Sequence, residues 1–168
     1  MMNTTTRKTA ILGSGNIGMS LAKGLVKSEY SRAQDITLTR RNVQHLTDQL
    51  QQGFQVSDDN FRAVSNSSVV ILAVLPQQLD NLLEQIGDAI DAKKHLVISV
   101  ISGVSCADIR EKIGNDVQVV RAMPNTAIAI SQSMTCIASD NASSENISEV
   151  TKMFETVGSV ILINEDLM

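Results

Sequence analysis

The chain has 168 residues, 43% of them hydrophobic and 19% charged, with a formal net charge of −4. That length suits one domain with a real core, burying roughly 70% of the surface its unfolded form exposes. No apolar run approaches the ~20 residues that span a bilayer, and the absence of a basic cluster argues against nucleic acid, whose phosphates require many Lys and Arg contacts.

Residues 1–10, "MMNTTTRKTA", lead only into the short apolar run Ala10 to Leu12, too little for a signal peptide, so a cytoplasmic protein is expected. From there, short β-branched runs alternate with longer runs at helical spacing, the pattern of a parallel sheet covered on both faces. Strands are predicted at Lys8 to Leu12, Ile36 to Thr39, Phe54 to Val56, Val69 to Val74, His95 to Val100, Val117 to Arg121, Met134 to Ala138 and Ser159 to Leu162. Helices follow from Ile17, Leu21, Leu25 and Val26, and from Leu79, Leu82, Leu83, Ile86 and Ile90. A third starts at Ser105, with Asp108 at the capping-box position and Gly114 near its stop, and a last runs from about Ser144 to Thr156. The fold class is therefore α/β, a doubly wound (Rossmann-like), mostly parallel sheet with helices on both faces, occupying residues 1–168 as one dinucleotide-binding domain.

The motif that carries chemistry is "LGSGNIG", with Gly13, Gly15 and Gly18 spaced GxGxxG. By spacing alone it fits either a phosphate cradle or a glycine-rich turn. Its place between a strand and a helix favours the cradle: Gly13 for the tight turn, Gly15 to clear room for a pyrophosphate, Gly18 for close helix packing. Backbone N–H groups near Asn16 and Ile17 then face the phosphates from the positive end of a helix. At the end of the second strand, where NAD sites carry a carboxylate for the ribose 2′-OH, stands "LTRRN". Thr39 with Arg40 and Arg41 suits a 2′-phosphate instead, hence NADPH, with NADH possible.

Other reactive side chains have plainer readings. His45 is expected on an exposed helix, and His95 in a structural or surface role. Cys106 sits near a helix start that could lower its pKa, Cys136 reads as a core strand residue, and Asp108 and Glu111 as one solvated helix face. No metal spacing is present and no general acid is assigned.

With "ILAVLPQ", "VISVISGVS", "VVRAMPNTA" and "FETVGSVILINEDLM" added to the glycine turn, the chain resembles the pyrroline-5-carboxylate reductase family along its whole length. The Arg-Ala-Met-Pro-Asn-Thr segment is the most specific part. The resemblance implies hydride transfer from NADPH to the small-molecule substrate 1-pyrroline-5-carboxylate, giving L-proline in amino-acid biosynthesis. It implies cofactor contacts at Leu12, Gly13, Ser14, Gly15, Asn16, Ile17 and Gly18, and at Arg40 for the 2′-phosphate. Asn60 would lie on the adenosine side, Ala73, Val74, Leu75 and Pro76 near the cofactor's middle, and Ile101, Ser102 and Gly103 close to the nicotinamide. Met123, Pro124 and Asn125 would follow the sixth strand as the substrate-side wall. Leu75 stands where the family commonly has lysine, and Ala127 where it has proline. Family members also continue as a helical dimerisation and substrate domain, so a homo-oligomer is left open and little turnover is expected of this chain alone. Alternatives are an F420-dependent NADP reductase and a non-catalytic nucleotide-binding module.

Overall fold

The computed structural model describes residues 7–168; the N-terminal segment weighed as a signal peptide falls largely outside them. Eight strands form one sheet: β1 (Thr9–Leu12), β2 (Ile36–Thr39), β3 (Gln55–Ser57), β4 (Val69–Leu72), β5 (Leu96–Ser99), β6 (Gln118–Pro124), β7 (Ser133–Ala138) and β8 (Gly158–Leu162). Their order is β3-β2-β1-β4-β5-β6-β7-β8. All neighbours pair in parallel except β6 with β7.

The helices are α1 (Asn16–Lys27), α2 (Thr47–Gln51), α3 (Asn60–Ser65), α4 (Leu79–Ile86), α5 (Cys106–Ile113) and α6 (Ser144–Glu155). Strand alternation divides the core into two layers. Ile11, Leu38, Ile71, Ile98 and Val120 face α1 and α6, meeting Leu21, Leu25, Val150 and Phe154. Ala10, Leu12, Val70, Val97 and Val119 face α3, α4 and α5, meeting Val64, Leu83 and Ile109. With both faces covered, β1, β4 and β5 are buried at every position, which is why they read as unbroken apolar runs.

The predicted strands all form, β2 with its expected bounds and the others with shifted ends. The largest shift is in β6, which runs on past Arg121 through Met123 and Pro124, because β7 returns antiparallel and pairs with them. Met123 and Pro124 therefore belong to the strand rather than following it. The helix expected to continue to Ile90 ends at Ile86 and closes with a 3-10 turn, Gly87–Ala89. The six-residue α3 is too short to give a periodic signal in the sequence; it is capped by the Asp59 side chain accepting from Arg62 N–H at 2.9 Å. At α5 the capping box forms as expected: the Ser105 hydroxyl accepts from Asp108 N–H at 3.1 Å and Asp108 accepts from Ser105 N–H at 3.0 Å.

Candidate nucleotide-binding cleft

The strand order reverses between β1 and β4, the place where a doubly wound sheet opens a crevice at its carboxyl ends. There a cleft of about 1220 Å³ lies beside the glycine turn. The turn is held by its neighbour strand: Ser14 donates to Thr39 O from its N–H at 3.1 Å and its hydroxyl at 2.9 Å.

Each glycine has its own structural reason. Gly13 takes φ +95°, and a Cβ there would lie 2.7 Å from Ala73 O, so side chains are excluded by both torsion and space. A Cβ on Gly18 would meet Gly13 O at 2.6 Å and the Ile11 side chain at 3.0 Å, so α1 rests directly on the turn. Gly15 differs: a Cβ would meet nothing within 4 Å. It precedes α1 with no side-chain cap, leaving the free N–H groups of a twelve-residue helix beside the cleft, where an anion finds donors and a favourable dipole.

Of the residues expected at the cofactor, Gly13 through Ile17, Thr39, Arg40, Arg41, Asn60, Ala73, Val74 and Leu75 line this cleft. Leu12 and Gly18 are buried behind it. Pro76 opens the next 3-10 turn and does not line it. Ile101, Ser102 and Gly103 lie in the loop after β5 rather than on the cleft wall, which Val100 supplies; the Ile101 side chain is in the core. Leu75 is 65% exposed and gives the cleft an apolar rim.

Arg40 and Arg41 are exposed, and among the described residues neither pairs with a carboxylate. Arg40 is anchored by its backbone, whose N–H donates to Ser57 O at 3.1 Å. The tertiary fold adds residues that the sequence did not single out. Asp58, from the end of β3, brings a carboxylate to a cleft whose β2 corner has none, and Asn81 and Gln85 enter from α4. Their only sequence signal is their i, i+4 spacing on the polar side of that helix.

A second cleft, of about 810 Å³, shares Asn16 and Ile17 with the first and runs between α1 and the segment after β6. Pro124 and Asn125 line it; Met123 does not, being half-buried in β6 opposite Cys136. The Asn125 side chain caps the following turn, accepting from Ala127 N–H at 3.1 Å.

The remaining reactive groups serve the framework. His95 is buried, with Nε2 at 3.2 Å from Val64 O and Nδ1 accepting from Asp91 N–H at 2.9 Å; this pattern needs a neutral ring, and burial lowers its pKa. His45 is exposed, in a 3-10 turn. The helix start does not lower the Cys106 pKa: burial and the nearby Glu165 push the thiol up to about 12. Its Sγ lies near the carboxylates of Asp140 and Glu165, but both are committed elsewhere. Glu165 accepts from Cys106 N–H at 2.7 Å and Arg121 at 3.1 Å, and Asp140 from Arg110 at 2.5 and 2.7 Å. Cys136 is only half-buried, not a full core residue.

The model of the family described as NADP oxidoreductase, coenzyme F420-dependent, matches residues 8–103, more than half of the chain. The chain belongs to this family. Two curated relatives from Dictyostelium discoideum are named pyrroline-5-carboxylate reductase 1 and 2. The first is 40% identical over 169 residues, covering 94% of this chain and 30% of its own. The second is 41% identical over 180 residues, covering 96% and 59%. Among solved structures, a pyrroline-5-carboxylate reductase from Coxiella burnetii superposes with a TM-score of 0.89 at 28% identity, covering 94% of this chain and 59% of that one. The chain thus spans three-fifths or less of the length of these proteins.

Proposed function

We propose that this chain is the NADPH-binding part of a pyrroline-5-carboxylate reductase. The observation that carries the reading is the pairing of open space at Gly15 with two arginines that, among the described residues, have no carboxylate partner, across the same cleft. The first leaves room for a pyrophosphate against the helix N–H groups, and the second offers guanidinium forks for a 2′-phosphate. NADH, without that phosphate, fits the same cleft less well.

When bound, NADPH supplies the hydride. The chain's own residues then orient: Gly13 to Ile17 hold the pyrophosphate, Arg40 and Arg41 the 2′-phosphate, and Asn60 the adenosine side. Ala73 to Leu75 and Val100 flank the rest of the cofactor, with Pro124 and Asn125 as the wall toward the substrate. No proton-transfer residue is assigned, because the protonated imine of 1-pyrroline-5-carboxylate already accepts hydride at carbon.

The relatives' similarity extends over almost the whole chain, including the Arg-Ala-Met-Pro-Asn-Thr segment that lies beyond the matched family model. The family's description keeps a second reading in play, hydride exchange between NADP and coenzyme F420. Titration of the chain with NADPH, followed by assays with 1-pyrroline-5-carboxylate or oxidised F420, tests both. The expected outcome is NADPH binding with little turnover, and pyrroline-dependent turnover once the chain is fused to the part of the second Dictyostelium reductase that it does not match. Failure to bind NADPH, or F420 reduction in place of pyrroline reduction, overturns the proposal; an inactive fusion that still binds NADPH favours a non-catalytic module.

A further inference from the structure

A chain of hydrogen bonds runs along one wall of the cleft and ends at the glycine turn. Gln85 Nε2 donates to Asn81 Oδ1 at 2.6 Å, and Asn60 Nδ2 donates to Gln85 Oε1 at 3.0 Å. Thr39 Oγ1 donates to Asn60 Oδ1 at 2.7 Å, and Gly13 N–H donates to Thr39 Oγ1 at 3.4 Å. All four side chains line the cleft, and they come from α4, α3 and β2, three elements with no local reason to agree.

The sense of the chain follows from its backbone end. Gly13 N–H can only donate, so Thr39 Oγ1 accepts there, and its own hydrogen goes to Asn60 Oδ1. That places the Asn60 oxygen toward β2 and its nitrogen toward α4. Gln85 couples to that orientation: inverting the Asn60 amide alone would set its oxygen against Gln85 Oε1, so Gln85 and Asn81 would have to invert with it. Asn60 is then left with one N–H and one lone pair at fixed positions for a molecule in the cleft. Each bond in such a run also polarises the next.

We infer that Gln85 is a positioning residue for nucleotide recognition: from α4, and supported by Asn81, it locks the Asn60 amide for the adenosine end of the cofactor. The inference rests on the NADPH-binding reading above and adds a determinant on an element outside the glycine turn and the β2 arginines. Gln85 itself is exposed, on a helix anchored by Leu79, Leu82, Leu83 and Ile86, so its replacement leaves the fold intact.

The test is a double-mutant cycle with Gln85→Met, Asn60→Ala and the pair, read as the affinity of the 168-residue chain for NADPH and for 2′,5′-ADP, which carries the adenosine end alone. Gln85→Met is expected to weaken both ligands about fivefold, the scale of one net hydrogen bond. In the Asn60→Ala background it is expected to change nothing further, since Gln85 acts only through Asn60. Equal affinity of Gln85→Met and wild type, or effects that simply add, overturns the inference while leaving the cofactor reading in place. A wild-type chain that binds neither ligand overturns both.

Discussion

Arginines beside the two halves of the sheet are used in opposite ways. Beside β2, Arg40 and Arg41 stand exposed with no carboxylate partner among the described residues. Around β6, Arg121 is buried against Glu165, and Arg110 grips Asp140 with both nitrogens. A guanidinium whose charge is neutralised within the fold braces the fold. One left in solvent beside a helix N-terminus retains its charge for a ligand. Among the described residues the buried Arg121 Nε has no hydrogen-bond partner, while Glu165 accepts from Arg121 and from the Cys106 N–H, tying the C-terminal segment to α5.

The glycine turn poses the same contrast at its sharpest. Gly13→Val must overcome both φ +95° and the contact with Ala73 O, so unfolding is expected to become easier by about 2–4 kcal/mol, read by urea denaturation. Gly15→Val, entering open space, is expected to leave the denaturation midpoint unchanged and to lower NADPH affinity at least ~tenfold. Equal stability loss in both variants would erase the distinction between the framework glycine and the ligand-facing one.

The arginines can be set against each other in the same fashion. Arg40→Ala is expected to weaken NADPH by ~10–100-fold, the worth of charge-assisted hydrogen bonds, while sparing NADH and stability. Glu165→Gln is expected to cost about 2–4 kcal/mol of stability by stranding the buried Arg121 charge, with NADPH affinity unchanged. A variant that moves both quantities would show that the two halves are coupled.

Smaller effects separate the thiols. With Cys106 buried and pushed up to about 12, iodoacetamide at neutral pH is expected to modify the half-buried Cys136 first in the folded chain. Peptide mapping that finds Cys106 labelled earlier would contradict its place in the α5 core.

The smallest effect concerns His95. Its folded pKa lies below the ordinary 6.5, so as pH falls through 6.5 the unfolded chain takes up the proton first. Stability is then fully present above that pH and declines below it, by at most about 1.4 kcal/mol per pH unit for one proton. The carboxyls of Asp108 and Asp140 are held below 3.8, so their contribution is lost only at lower pH. Replacing His95 by Gln is expected to remove the slope between pH 7 and 5; an unchanged slope would place its origin elsewhere.

What the sequence determined by itself is local. Unbroken apolar runs marked strands buried on both faces, helical spacing marked α1, α4, α5 and α6, and Ser105 with Asp108 marked a cap, because each signal arises from neighbours within a turn or two. The glycine spacing and the paired arginines were legible for the same reason. Tertiary structure decided what depends on distant segments meeting: the antiparallel return of β7 that lengthened β6, and the burial that silenced Cys106. It also brought Asp58 to the cleft and joined Asn81 and Gln85 to Asn60. Apart from the i, i+4 pair Asn81 and Gln85, these encounters join segments far apart along the chain, so no periodicity records them, and only the packed sheet brings them together.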